Sequence, residues 1–225
     1  MSKITINNVS KTFTHGKNDL QILNDISLTL SAGTMTALIG PSGIGKSTLL
    51  NIIGLLDRRY QGSIVIDDYD TIALSDKELA KLRNSTIGFV LQEPLLIEKM
   101  SIKKNILLPT IYGVEKPKQE LENRLIELTQ KVGIQNIINK HPSQISGGQK
   151  QRAVLARALI NNPDIILADE PTGSLDEQNS EIVVDIFQQL VQQGKTILTV
   201  THDYAVANCH QHIWRLDNGK LINEE

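Results

Sequence analysis

Three stretches of this sequence carry residue types and spacings suited to phosphate chemistry. The first, Gly40-Pro41-Ser42-Gly43-Ile44-Gly45-Lys46-Ser47-Thr48, fits the phosphate-binding pattern G-x-x-x-x-G-K-[ST]. Its glycines let backbone N–H groups turn inward around an anion with no side chain in the way. Lys46 is placed to reach the β- and γ-phosphate oxygens of a nucleoside triphosphate, and Ser47 to offer its hydroxyl to Mg²⁺. A Gly-rich turn with a chance Lys-Ser is the bland alternative, and context disfavours it. Ala37-Leu38-Ile39 predicts a strand before the loop, and Leu49-Leu50-Asn51-Ile52-Ile53 predicts a helix after it. That helix N-terminus would add the positive end of its dipole.

The second stretch, Ile165-Ile166-Leu167-Ala168-Asp169-Glu170, is an apolar run ending in two acids. Asp169 suits holding Mg²⁺ through water, and Glu170 suits polarising an attacking water; a helix-capping acid pair is the plainer reading. Gln92 and His202 follow two further apolar runs, Ile87 to Leu91 and Thr196 to Thr201. Alone, each would be an ordinary polar residue after a strand. In an open parallel sheet, though, ligands bind beyond the carboxyl ends of the strands. The phosphate loop, Gln92, Asp169-Glu170 and His202 would then gather at one edge. The third stretch, Ile145-Ser146-Gly147-Gly148-Gln149, places a serine and two glycines before a helical pattern, another candidate anion-binding N-terminus. A capping serine is its ordinary reading.

The elements that must position these residues can be read from periodicity. Ile26, Leu28 and Leu30, and later Ile64 and Ile66, alternate with more polar neighbours and predict half-exposed antiparallel strands. The continuous runs Ile87–Leu91, Ile165–Ala168 and Thr196–Val200 predict strands buried on both faces of a parallel sheet. Leu121, Leu125, Leu128 and Val132 fall at helical spacing with Gly133 at the C-terminal cap, and Gln149 through Ile160 predicts a second helix. Asp217-Asn218-Gly219-Lys220 between two apolar runs predicts a hairpin. The expected fold is α/β, with a core over about residues 1–92 and 158–225 and a helical subdomain inserted over about 93–157.

Bulk composition narrows the partners. Lys plus Arg number 23 against 25 Asp plus Glu, a net charge of −2, which gives no bulk drive toward nucleic acid or anionic lipid. No nucleic-acid partner is expected. Cys209 is the only cysteine, which excludes an intrachain disulfide and points to a reducing compartment and an ordinary thiol. No apolar run approaches the roughly 20 residues of a spanning helix, and the N-terminus alternates like a strand and has no leader-like apolar block, so any membrane role is expected to come from a partner. His15, His141, His210 and His212 are expected to face solvent, and Lys99, Lys103 and Lys104 to form a solvated face.

Taken in order, the phosphate loop, Gln92, Ile145-Ser146-Gly147-Gly148-Gln149 with Lys150-Gln151-Arg152, Asp169-Glu170, Pro171-Thr172-Gly173-Ser174-Leu175-Asp176 and His202 resemble the motif set of ABC-type ATPases over essentially the whole chain. Ile145 stands where Leu is usual in the signature sequence. The resemblance implies a P-loop ABC-type ATPase core with an N-terminal antiparallel β-sheet and an inserted α-helical subdomain. It implies ATP and Mg²⁺ as cofactors, with Ser47, Gln92 and Asp169 about the metal and Glu170, His202 and Gln92 about the reacting phosphate. Ser146, Gly147, Gly148 and Gln149 would close over the γ-phosphate held by a second copy, with Asp176 in the loop between them, so that a head-to-tail homodimer sandwiches two ATPs.

Phe13 matches the position where that family stacks an aromatic ring on adenine, where Tyr is commoner; a core phenylalanine is the plainer reading. Ile44 replaces a small or polar residue of the loop and is expected to turn away from phosphate. Leu49 to Arg58, Ala73-Leu74-Ser75-Asp76, Arg83 and Ile87 to Val90 resemble the branch of lipoprotein-release and macrolide-efflux ATPases of the LolD and MacB type, which also takes in bacteriocin and antimicrobial-peptide export. That branch implies an integral membrane permease docked near Gln92 and the helical subdomain, and a peripheral position at the cytoplasmic face of the membrane. A cell-division-type mechanotransmission ATPase would look nearly the same. Repair-type non-transport ATPases need long coiled-coil arms, which are not in evidence, and translation-type ones usually carry two ATPase units.

Overall fold

The computed structural model describes residues 2–15, 18–113, 117–173 and 175–224. The side chain of His15 and residue Ser174 lie outside the described residues. Strands β1 (Ser2–His15), β2 (Asn18–Ser31), β4 (Gln61–Ile66) and β5 (Tyr69–Asp70) form an antiparallel sheet in the order β2-β1-β4-β5. Strands β3 (Met35–Ile39), β6 (Ile87–Val90), β7 (Ile165–Asp169), β8 (Thr196–Thr201), β9 (His212–Asp217) and β10 (Lys220–Asn223) form a second sheet in the order β10-β9-β3-β8-β7-β6. All its pairings are parallel except the terminal β9–β10 hairpin. The hairpin turns at Asn218 and Gly219, with φ of 46° and 73°, as the two-residue Asn-Gly turn requires.

The helices are α1 (Lys46–Ile53), α2 (Asp76–Thr86), α3 (Ile102–Leu107), α4 (Lys118–Lys131), α5 (Gly147–Leu159), α6 (Glu177–Gln192) and α7 (Tyr204–Ala207). Leu91 falls outside β6, one residue short of the expected strand end. α5 starts at Gly147, two residues earlier than its apolar pattern. It also runs through the expected subdomain boundary at 157/158.

Why β7 and β8 are apolar without alternation is visible in the packing. Ile165, Leu167, Leu198 and Val200 point to a core shared with α1 and the antiparallel sheet. Ile166, Ala168 and Ile197 point to the opposite core, shared with α3, α4, α5 and α6. In β2, by contrast, Ile26, Leu28 and Leu30 are buried while Ser27 and Thr29 are exposed. One face of that sheet carries the core and alternation suffices. The inserted helices therefore share one core with the sheet. At Gly88 a methyl group would meet the Ala158 carbonyl at 2.5 Å, so α5 lies directly on β6.

Three expectations about charged or titratable residues fail, those for Lys103, His210 and the half-buried His212. Lys103 is half-buried and ion-paired with Glu122 at 2.7 Å, because Ile102, Asn105 and Ile106 of α3 are drawn into the core and carry it against α4. His210 is buried, with Nδ1–H donating to the Val206 carbonyl at 2.9 Å and Nε2 without a partner among the described residues. Burial pulls its pKa below the ordinary histidine value, against the carbonyl contacts of Val206 and Ala207. The folded state then resists protonation, so the stability present at neutral pH is lost progressively as pH falls below about 6.5. Thermal melts across that range should show a shallower pH slope for His210→Gln than for wild type; equal slopes would remove His210 from the account. Cys209 is exposed and His212 is half-buried.

Candidate functional site

Because β3, β8, β7 and β6 run parallel, the segments after them emerge at one edge. These are the phosphate loop, Thr201-His202, Asp169-Glu170 and Leu91-Gln92. The loop from Gly40 to Gly45 turns back through three left-handed glycines, with φ of 150°, 79° and 112° at Gly40, Gly43 and Gly45. At Gly45 both conformation and space exclude a side chain, since a methyl there would sit 2.5 Å from the Ile22 side chain. Pro41, Ser42 and Gly43 are exposed; Ile44 turns inward against the core, as expected. Lys46 is buried, its Nζ donating to the carbonyls of Gly40 at 2.7 Å and Pro41 at 3.0 Å. Those bonds hold an ammonium inside a loop that lines a cleft of about 180 Å³. Gly43, Gly45, Lys46, Ser47, Thr48, Ile22 and Phe13 line that cleft.

Phe13 is 46 % exposed, so it is a cleft wall and not core. Beneath it lies Lys11, almost fully buried, with Nζ 4.9 Å from the ring centroid. Lys11 also donates to Asp57 Oδ2 at 2.6 Å and to the Arg59 carbonyl at 2.5 Å. The ring is thereby tied to the chain leaving α1, whose first turn begins at Lys46. In the sequence, Lys11 is marked only as a cation in period-two phase with Val9.

At the end of β7, burial pushes the Asp169 carboxyl above the ordinary range. A hydrogen bond from Ser47 opposes the shift, the Glu170 carboxylate adds to it and Lys46 opposes it. Glu170 has φ of 45°, a left-handed conformation that a residue with a Cβ adopts at a cost of about 1–3 kcal/mol. Its backbone N–H still donates to the Val200 carbonyl at 2.9 Å. Its carboxylate accepts from Thr201 Oγ1 at 3.2 Å and pairs with His202 Nδ1 at 2.7 Å. His202 is largely exposed while the Glu170 side chain is nearly enclosed. The imidazole edge away from Glu170 is thus presented outward. Gln92 is exposed, and a methyl on Gly173 would come within 3.5 Å of both Gln92 Nε2 and the Glu170 Cβ. Gln92, Glu170 and the Pro171–Gly173 turn therefore meet. Thr201 was missed in the sequence, where it reads only as the last strand residue.

Ser146 caps α5: its hydroxyl accepts from Gln149 N–H, and the Gln149 side chain accepts from Ser146 N–H at 3.0 Å. The capping reading holds, while Ser146 and Gly147 stay exposed. Asp176 caps α6, accepting from Asn179 N–H at 2.8 Å, and Asn179 accepts from Arg152 of α5. Backbone and side-chain donors of Asn179 hold the Asp176 carboxyl below the ordinary range. The two capped N-termini are thus locked to each other, on the α5–α6 side of the molecule. Among the described residues no group of three or more His, Cys, Asp or Glu gathers as a metal cage.

Comparison with known proteins identifies the family. The ABC transporter family profile matches residues 23–173. The chain is 44 % identical over 222 residues to YvrO of Bacillus subtilis (strain 168), described as an uncharacterized ABC transporter ATP-binding protein, covering 99 % of this chain and 96 % of YvrO. It is 42 % identical to the macrolide export ATP-binding/permease protein MacB of Aggregatibacter actinomycetemcomitans, of which it spans 35 %. Among solved structures, the dimeric post-hydrolysis state of the ATP-binding cassette MJ0796 bound to ADP and Pi superposes with a TM-score of 0.92 at 38 % identity, covering 99 % of this chain and 98 % of that one. With a profile match over most of the chain and a near full-length relative at this identity, the chain belongs to the ABC transporter ATP-binding family and is an ATPase.

Proposed function

We propose that this chain pairs head-to-tail with a second copy on binding ATP, and that the pair drives a membrane permease exporting or extracting a peptide, lipoprotein or drug-like substrate. The observation that carries the reading is the split between two half-sites. One edge gathers the phosphate loop, Gln92, Asp169, Glu170 and His202. The exposed, capped N-terminus at Ser146–Gln149 is tied instead to Asp176 and α6. Each half-site fits one side of a bound triphosphate, so a second copy completes it.

In this reading Lys46 and the loop amides from Gly40 to Thr48 hold the phosphates, Phe13 stacks on adenine, and Glu170, oriented by Thr201 and His202, activates the attacking water. Mg²⁺ keeps several waters and uses one or two carboxylates together with phosphate oxygens. Ser47, Asp169 and Gln92 fit that sparse donor set, and the buried Asp169 carboxyl gains most from a nearby cation. When bound, the metal would neutralise phosphate charge.

A groove of about 750 Å³ between α2, β6 and α5 supports the permease. Leu56, Phe89, Leu91 and Tyr112 supply its apolar wall; Lys77, Lys81, Arg83 and Arg157 lie around it, and no carboxylate among the described residues lines it. Among the described residues no helix is long and apolar enough to cross a membrane.

Cysteines placed in the phosphate loop and at Ser146, in a Cys209→Ser background, should crosslink between subunits when ATP is present. Crosslinks confined to one subunit would sink the sandwich. Phe13→Ala should weaken ATP binding by about 1–3 kcal/mol, the worth of a base stacked on an aromatic. Calorimetry that finds unchanged affinity with a lowered melting temperature would return Phe13 to a structural role.

A further inference from the structure

The signature helix carries a buried polar side chain that no step above uses. Gln151 lies one turn into α5 and is 1 % exposed. Its Nε2 donates to two backbone carbonyls, Leu91 at 3.1 Å and Pro171 at 3.2 Å. Both acceptors are carbonyl oxygens, so the amide nitrogen must face them, whichever way a carboxamide might otherwise be turned. The amide oxygen, equally buried, has no hydrogen-bond partner among the described residues. A buried acceptor without a partner is a cost, and an apolar side chain at this position of the helix stripe, beside Val154 and Leu155, would avoid it. What the carboxamide provides in exchange is two N–H donors, one to each loop.

Those two loops are the ones that meet at the reacting edge. Leu91 immediately precedes Gln92, and Pro171 immediately follows Glu170. Gly173, two residues on, lies against both Gln92 and Glu170. We infer that Gln151 is a positioning residue: it clamps the loop bearing Gln92 and the loop bearing Glu170 to the helix that begins at Ser146. Movement of α5 against the sheet is thereby transmitted to the spacing between Gln92 and Glu170. Gln151 acts through the two backbones it holds, those of Leu91 and Pro171. The inference rests on the proposed roles of Gln92 and Glu170 at the γ-phosphate.

The test separates the two. Gln151→Met keeps length and removes both donors; Gln151→Glu is isosteric and removes them as well at neutral pH, and it carries the test if the methionine variant does not fold. Steady-state turnover and ATP affinity would be measured on the full chain for each variant, alone and combined with Gln92→Ala. Loss of positioning at this range should lower kcat by about 10–10²-fold. ATP affinity should change by less than about two-fold, because the phosphate loop is untouched, and adding the Gln151 substitution to Gln92→Ala should cost less than about two-fold more. Unchanged kcat, an equal loss in kcat and affinity, or full multiplication of the two single losses would each overturn the clamp. If Gln92→Ala and Glu170→Gln both turn over at the wild-type rate, the underlying reading of the site fails instead.

Discussion

Lys46→Ala should abolish measurable ATP binding while leaving the fold intact. Lys46 Nζ is almost buried and already directed by the carbonyls of Gly40 and Pro41, so its position is set before nucleotide arrives. Removing the cation leaves the phosphate charge without its buried partner in the loop. Breaking a buried charge pair by deleting one partner costs about 3–5 kcal/mol, or roughly two to four orders of magnitude in affinity. Calorimetry reads the affinity and circular dichroism confirms the fold. A well-folded variant with near wild-type affinity would withdraw the phosphate-loop assignment.

Glu170→Gln should separate binding from hydrolysis. The amide keeps the shape of the carboxylate and can still accept from Thr201, but it cannot take a proton from water. General-base assistance is worth about 10²–10⁴-fold in rate, so turnover should fall by that factor with ATP affinity retained. The substitution also removes a negative charge next to the γ-phosphate and next to Asp169, which the Glu170 charge helps to push up. The ATP-bound pair should therefore persist, and light scattering after size exclusion should find a dimer in ATP and Mg²⁺ and monomer in ADP. A variant that stays monomeric in ATP and hydrolyses at the wild-type rate would remove Glu170 from catalysis. If it is monomeric and inactive, the catalytic role stands and stable pairing depends on the permease.

Much of the arrangement was legible before any fold was known, because it is local. The phosphate loop is a contiguous segment whose glycines, lysine and hydroxyl act on one ligand. Alternation in β2 and its absence in β7 report how many faces each strand buries, and the structure assigns the two faces of β7 to two different cores. Asn218-Gly219 specifies its own turn. Even the gathering of Gln92, Asp169, Glu170 and His202 follows from one inference, that the apolar strands are parallel.

What only the tertiary structure decided are contacts between groups distant along the chain. Gln151 reaches Leu91 across 60 residues and Pro171 across 20, and Lys11 reaches Asp57 across 46. In each case periodicity shows that a polar residue falls on a buried face without showing which carbonyl or carboxylate waits there. His210 and Lys103 were misjudged for the same reason. A side chain's hydropathy predicts solvent exposure only on average; whether a hydrogen bond or an ion pair offsets its burial depends on what another element places opposite it. The strain at Glu170 belongs to the same class, since its left-handed backbone is held by the bond to Val200 on the neighbouring strand.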